Sequence, residues 1–180
     1  MPLKRSVPRK MLHLRDIALR GFEREDGLFD IEGHITDVKT YSLGTAAQAG
    51  FSAGEPVHDM WLRLTISEDM EIREVETNMD KTPYAYCLGA GPNMQRLVGL
   101  RIGKGIMKEV SARLGGAEGC THLRELLQPL CTVAFQTINR TAPKVVTQGG
   151  TPDARMRNSC YSYSDGSPVM EAKLKAATAG

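Results

Sequence analysis

The fold is decided by the stretch Met60-Trp61-Leu62-Arg63-Leu64-Thr65-Ile66. Its apolar side chains recur at every second position, which indicates a strand with one buried face. Residues 67–71 then turn the chain, and residues 72–79 return it as another strand. This part of the sequence therefore predicts an antiparallel hairpin.

A second hairpin precedes the first. Two extended runs, residues 11–22 and 28–39, flank Glu23-Arg24-Glu25-Asp26-Gly27, and Asp-Gly is a strong hairpin signal. Helical patterns follow only later, at about 92–101, 105–114 and 121–138. Strands first and helices second predict an α+β domain, with an antiparallel sheet of at least four strands packed against three C-terminal helices.

The chain of 180 residues is expected to form one domain with appendages. Residues 1–10 predict a basic, disordered leader, and residues 11–140 the single α+β domain. Residues 41–55, rich in Gly, Ala and Ser, predict a loop. Residues 141–180 predict an irregular C-terminal extension that is frayed from Ala172 onward.

Composition limits the function classes. A net charge of +2 gives no global bias toward nucleic acid. No apolar run approaches the roughly 20 residues that span a bilayer, so we expect a cytoplasmic protein without a membrane partner. Four cysteines at wide, irregular spacings favour reduced thiols over a disulfide framework. No dinucleotide or phosphate-binding glycine motif is present.

The stretch Gly119-Cys120-Thr121-His122 begins the longest predicted helix. A helix N-terminus carries partial positive charge, which favours the thiolate that metal ions bind. The same stretch is also typical of a capped core helix, in which Thr121 is the N-cap and Cys120 is buried. Both interpretations remain open from these residues alone.

Two further sites make the metal interpretation more specific. His58-Asp59 stands at the start of a strand, and Cys87 lies in a loop before a helix. With Cys120 and His122 they predict a metal site whose ligands are His58, Cys87, Cys120 and His122, with Zn²⁺ as the ion and Fe²⁺ as the alternative. If only three bind, the fourth position takes water or substrate.

Such a site predicts an enzyme that acts on a small-molecule substrate. Asp59 or His13 would move the proton, and Tyr84 or Tyr86 would donate to an oxyanion. For a strand histidine such as His13, a surface or hydrogen-bonded position is the competing interpretation. Exposed aromatic side chains at Trp61 and Tyr41 would suit a homodimer contact.

Six motifs resemble those of an uncharacterised bacterial domain-of-unknown-function family over most of residues 8 to 170. They are Glu25-Asp26-Gly27-Leu28, Asp30-Ile31-Glu32-Gly33, His58-Asp59-Met60, Pro83-Tyr84 with Cys87, Leu97-Val98-Gly99 and Gly119-Cys120-Thr121-His122. Members of that family are associated with soil bacteria that degrade aromatic compounds. No established activity comes with this resemblance. If the association with aromatic catabolism holds, one candidate is a lyase of retro-aldol type that releases an aldehyde from an aromatic, lignin-derived compound, and a hydrolase is another.

Residues 58–138 are also similar, more distantly, to the NifU/SufE-like iron-sulfur scaffolds. The matching positions are Met60-Trp61-Leu62-Arg63-Leu64, Ile72-Arg73-Glu74-Val75, Cys87 and Cys120. His58-Asp59 stands where the scaffold has Cys-x-Asp, and this difference favours a mononuclear metal. The alternatives are an iron-sulfur or sulfur-transfer accessory protein, a structural zinc domain without catalysis, and a metal-free protein with Cys120 as nucleophile.

Overall fold

The computed structural model describes residues 3, 4, 6–45, 48–138 and 157–178. Contacts between residues divide the chain into two units, Met1–Thr137 and Ile138–Gly180. The described residues before position 11 are in neither helix nor strand. The first unit holds the sheet and the candidate site.

The sheet of the first unit has four antiparallel strands. They are β1 (His13–Glu23), β2 (Phe29–Lys39), β5 (Pro56–Ile66) and β6 (Ile72–Lys81), in the spatial order β1-β2-β5-β6. Both predicted hairpins are present. The loop predicted at 41–55 is wrong, because β3 (Leu43–Thr45) and β4 (Gln48–Phe51) pair there. Leu43 of this small hairpin is exposed, so it gives the sequence no sign of a buried strand face at that position.

Helices follow the sheet, which confirms the α+β class. Helix α1 spans Ile106–Leu114 and helix α2 spans Thr121–Ile138. The first predicted helix is only a short 3₁₀ turn, Pro92–Leu97. It ends because Gly99 has φ +83° and pairs with the strand edge, its N–H donating to the Ile72 carbonyl at 2.8 Å.

The core lies between one face of the sheet and helix α2. Five side chains at helical spacing form the buried stripe of α2: Leu123, Leu126, Leu127, Leu130 and Ala134. On β2 every second residue is buried from Phe29 onward. A Cβ built on Gly33 would stand 3.3 Å from a methyl group of Leu130, so α2 crosses β2 at this glycine.

Gly21 marks a still closer approach between strand β1 and helix α2. A Cβ there would stand 1.9 Å from Thr137 Oγ1 and 2.9 Å from its Cβ. We expect Gly21→Ala to lower the free energy of unfolding by about 1–3 kcal/mol, the usual cost of overpacking. Urea denaturation measures this, with Gly103→Ala as control because its Cβ would meet no atom within 4 Å. Equal stability of the two variants would contradict the packing described.

The second unit contains helix α3, Pro168–Thr178. The fraying predicted from Ala172 is therefore wrong. Ser167 caps the helix, since its Oγ accepts from the Met170 N–H at 3.1 Å, and Pro168 occupies the first helical position. The Ser-Pro pair at residues 167 and 168 is the sequence signal for the start of this helix.

Candidate metal centre

The site is built around a buried carboxylate. Strand β2 directs Phe29, Ile31, Gly33, Ile35 and Asp37 to the core, so the last member of an apolar row is an acid. Asp37 is only 2% exposed. A carboxylate out of water is unfavourable unless charged or hydrogen-bonding partners compensate, so its neighbours decide its role.

Neighbouring strands supply those partners. The register sets Arg15 of β1 and His58 of β5 directly opposite Asp37, one on each side. Arg15 donates from Nε to Oδ1 and from Nη2 to Oδ2, both at 2.7 Å. His58 Nδ1 lies 3.0 Å from Oδ2, and His13 Nε2 lies 3.0 Å from Oδ1. Arg15 also pairs with Glu125 of helix α2.

Helix α2 contributes the second histidine that faces the cavity. The Cys120 carbonyl accepts the first helical hydrogen bond, from the Arg124 N–H at 3.0 Å, so the helix begins at Thr121 and His122 lies in its first turn. His122 Nε2 stands 3.6 Å from Asp37 Oδ2. Its ring packs on His58, with centroids 3.7 Å apart and an angle of 32° between the planes. Cys120 Sγ lies 3.9 Å from His122 Nδ1, the other ring nitrogen.

The charge states follow from these contacts. Burial alone would raise the pKa of Asp37, but the hydrogen bonds and charge of Arg15, with the two histidines, bring it below its ordinary value. Burial lowers the pKa of His58, and the charge of His122 lowers it further, against the opposing effect of Asp37. Burial likewise lowers the pKa of His122. Both rings are therefore neutral near pH 7, the form in which imidazole binds metals.

Three of these groups have the geometry to hold a metal ion. One ligand atom each from Asp37, His58 and His122 lie within 4.8 Å of one another. Two ligand atoms about 2.1 Å from one ion stand about 3.0 Å apart at a right angle and about 3.4 Å apart in a tetrahedron. The distances from Asp37 Oδ2, 3.0 Å to His58 and 3.6 Å to His122, bracket that range.

The two histidines open onto a cavity of about 650 Å³. Six of the eight residues predicted for the site line it: His58, Cys87, Cys120, His122, Tyr84 and Tyr86. Tyr84 is 54% exposed and Tyr86 is 95% exposed, so Tyr84 is the more enclosed hydroxyl. The structure thus brings the predicted thiols to the wall of the cavity, whereas Asp37 occupies the position beside the two histidines.

The two predicted bases have different positions. His13 contacts Asp37 and belongs to the cluster. Asp59 follows His58 on the same strand and therefore points to the opposite face of the sheet, where His34 Nε2 lies 2.7 Å from its Oδ1. His34 also stacks on Trp61, with ring centroids 3.9 Å apart. The structure does not bring Asp59 to the site.

The sequence interpretation missed Asp37 and Arg15. The available signal was Asp37 itself, an acid at a core-facing position of an otherwise apolar row. Helix α2 itself carries Cys131, which is not among the residues that line the cavity. Burial raises its pKa to about 11, which keeps it a thiol.

The fold and this cluster define an α+β protein with a candidate mononuclear metal centre at the end of the sheet where β2 finishes and β5 begins. The chain belongs to the family described as protein of unknown function (DUF2889), whose model matches residues 13–136. Neither curated proteins nor solved structures gave a match, so the NifU-like resemblance gains no support from them. No helix among the described residues has the length and apolar character needed to span a bilayer.

Proposed function

We propose that this chain is a small-molecule enzyme that works with one divalent metal ion bound by Asp37, His58 and His122. The observation that carries the proposal is the convergence of these three groups beside an open cavity. Two imidazoles and a carboxylate are the ligand set of zinc hydrolases and of non-haem iron enzymes. Zn²⁺ is the proposed ion, with Fe²⁺ as the alternative.

The surrounding residues have distinct roles in this proposal. Arg15 fixes the carboxylate of Asp37 by donating to both of its oxygens, and His13 contacts Oδ1, the oxygen that does not face His58 and His122. Cys120 orients His122 through its Nδ1, so that Nε2 remains for the ion. Three protein ligands leave a position for substrate, where a bound ion would polarise a carbonyl or hydroxyl oxygen.

The finer proposal is a retro-aldol lyase that acts on an aromatic compound. A substrate hydroxyl loses its proton, the adjacent carbon–carbon bond breaks, an aldehyde leaves, and the electron pair is held on the remaining fragment until that fragment is reprotonated. Tyr84 donates to the developing oxyanion from the cavity wall. His13, 37% exposed and 3.0 Å from Asp37 Oδ1, is the base that this proposal assigns to that proton. The cavity volume falls in the usual range for small-molecule sites.

A second candidate is a metal-free acid–base site. The 3.0 Å contact between His58 Nδ1 and Asp37 Oδ2 supports it, because a carboxylate so placed orients a histidine as general base. In that case the other ring nitrogen of His58 would act on substrate. Metal analysis separates the two candidates.

We expect protein purified without chelator to carry about one equivalent of zinc or iron. His122→Ala should weaken metal binding by at least about 100-fold, since it removes a ligand rather than an outer contact. His34→Ala is the matched control, because His34 also bonds a carboxylate but lies on the other face of the sheet. Elemental analysis and titration with Zn²⁺ measure both variants. Wild-type protein without metal, and unable to bind Zn²⁺, would favour the acid–base site.

Thermal melting of the metal-free protein distinguishes an enzyme from a structural zinc domain. The sheet and helix α2 bury an apolar core of their own, so we propose that the fold survives chelation. Cooperative melting after chelation agrees with a catalytic ion, whereas loss of the fold would assign the ion to structure. Labile sulfide in the purified protein would instead favour the iron-sulfur accessory.

A further inference from the structure

Strand β1 is an edge strand that carries solvent-exposed apolar side chains. Among the residues that the structure describes, it pairs only with β2, and nearly all of its own residues are exposed. Leu14, Ile17 and Phe22 are 40%, 43% and 45% exposed. A long edge strand with apolar residues is a template for pairing with another chain, unless charges oppose it.

The backbone hydrogen bonds show which residues face outward. The Leu12 carbonyl accepts from the Thr40 N–H, and the Arg24 N–H donates to the Leu28 carbonyl, so the even-numbered residues at both ends of β1 point toward β2. Backbone groups alternate sides along an antiparallel strand. The N–H and C=O groups of the odd-numbered residues between 13 and 23 therefore point away from the sheet.

The sequence of β1 is complementary to itself when reversed. We propose that β1 pairs antiparallel with β1 of a second copy, about a two-fold axis at Ala18, and so joins two sheets into one of eight strands. In this register Asp16 lies opposite Arg20 of the other chain, and Leu14 lies opposite Phe22. On the core-facing side His13 lies opposite Glu23 and Ile17 opposite Leu19. Apart from Arg15, every charged or apolar residue of β1 lies opposite a residue that complements its charge or is also apolar.

Other registers lose this match. A shift by two residues sets Asp16 against Ala18 and Leu14 against Arg20, which leaves the charges without partners. Within the part of the chain that the structure describes, neither Asp16 nor Arg20 has an ion-pair partner of its own. The charges that would repel an unrelated edge strand therefore select a second copy of this chain.

The pairing reaches the candidate metal centre. His13 and Arg15, which contact Asp37, lie on β1 itself. The register brings Glu23 of the second copy opposite His13, so each centre would have an acid of the other chain beside its exposed histidine. The contact lies at this edge, whereas Trp61 stacks on His34 on the sheet face and Tyr41 follows β2.

Charge exchange tests the register. We expect sedimentation equilibrium of wild type to show a dimer, and D16R or R20D to raise its dissociation constant at least about tenfold, because each places like charges opposite each other twice per dimer. The double variant D16R/R20D should restore dimerisation. Both side chains are exposed, so neither change buries a charge. A monomeric wild type at high concentration, or single variants that dimerise normally, would overturn the proposal.

A disulfide tests the two-fold axis independently. Residues opposite each other across a pair without hydrogen bonds have Cα atoms about 4.5 Å apart, within disulfide reach. Ala18→Cys should therefore give a covalent dimer on mild oxidation. Phe22→Cys is the control, because two copies of residue 22 would lie about 27 Å apart along the strands. Wild-type protein, oxidised in parallel, shows whether any of the four native cysteines forms a covalent dimer. Equal crosslinking of both variants, or none by Ala18→Cys, would contradict the axis at Ala18.

Discussion

Asp37→Asn is expected to abolish metal binding and to lower the free energy of unfolding by about 3 kcal/mol, the low end of the usual cost of breaking a buried ion pair. The carboxylate is 2% exposed and accepts two hydrogen bonds from Arg15. An amide cannot neutralise that guanidinium and presents an N–H₂ group to at least one of its neighbours. The cost stays at the low end because Arg15 is 31% exposed and keeps its ion pair with Glu125.

Two measurements check this outcome. Urea denaturation gives the change in stability, and titration with Zn²⁺ gives the change in affinity. Asp59→Asn is a close control, since Asp59 is also a strand carboxylate bonded to a histidine but is 27% exposed on the other face. If both variants bind Zn²⁺ like wild type, Asp37 is not a ligand. If Asp37→Asn is as stable as Asp59→Asn, the ion pair between Arg15 and Asp37 does not contribute to the free energy of unfolding.

The sheet was predictable because its signal is local. Each strand carries its buried face at every second position, and β5 shows Met60, Leu62, Leu64 and Ile66 without interruption. Hairpin connections then pair β1 with β2 and β5 with β6 without long-range information, whereas the pairing of β2 with β5 is not a hairpin. Segment 92–101 shows the limit of this reasoning. Its composition is compatible with a helix, but pairing with Ile72, a tertiary contact, ends the helix after one short turn.

The site was predictable only in part, because convergence depends on register. His58 and His122 were identified at element boundaries, where side chains from different elements meet. Asp37 reaches them because the register sets it opposite His58 and because helix α2 crosses β2. A shift of the register by one residue would have put Asp37 on the solvent face. The sequence pattern of a single strand does not show which residue of the neighbouring strand lies opposite each of its own.

The assignment of the thiols likewise depends on distances in the folded protein, and the spacing of residues in the sequence does not give those distances. Cys120 and His122 are two residues apart, and both were predicted as ligands. In the structure Cys120 lies beside Nδ1 of His122, whereas Asp37 lies beside Nε2. One ring nitrogen of His122 therefore faces the thiol and the other faces the acid. Residue type alone could not assign these two positions.

The metal-free protein is expected to lose stability as the pH falls below about 6.5, the ordinary histidine value. The pKa values of His58 and His122 are lowered in the folded protein, chiefly by burial. In this window the unfolded chain binds more protons than the folded one, so the free energy of unfolding decreases with decreasing pH. Above 6.5 both states are neutral and the effect is absent.

Each histidine contributes a slope of up to about 1.4 kcal/mol per pH unit between its unfolded and folded pKa, so two give up to about 2.7. Urea denaturation between pH 7.5 and about 5 in the presence of chelator measures the slope. His58→Gln with His122→Gln should remove most of it, because glutamine does not titrate. The lowered pKa of Asp37 acts only at more acidic pH, below its ordinary value near 3.8. If the double variant keeps the slope of the wild type, His58 and His122 are not the groups that make the fold sensitive to acid.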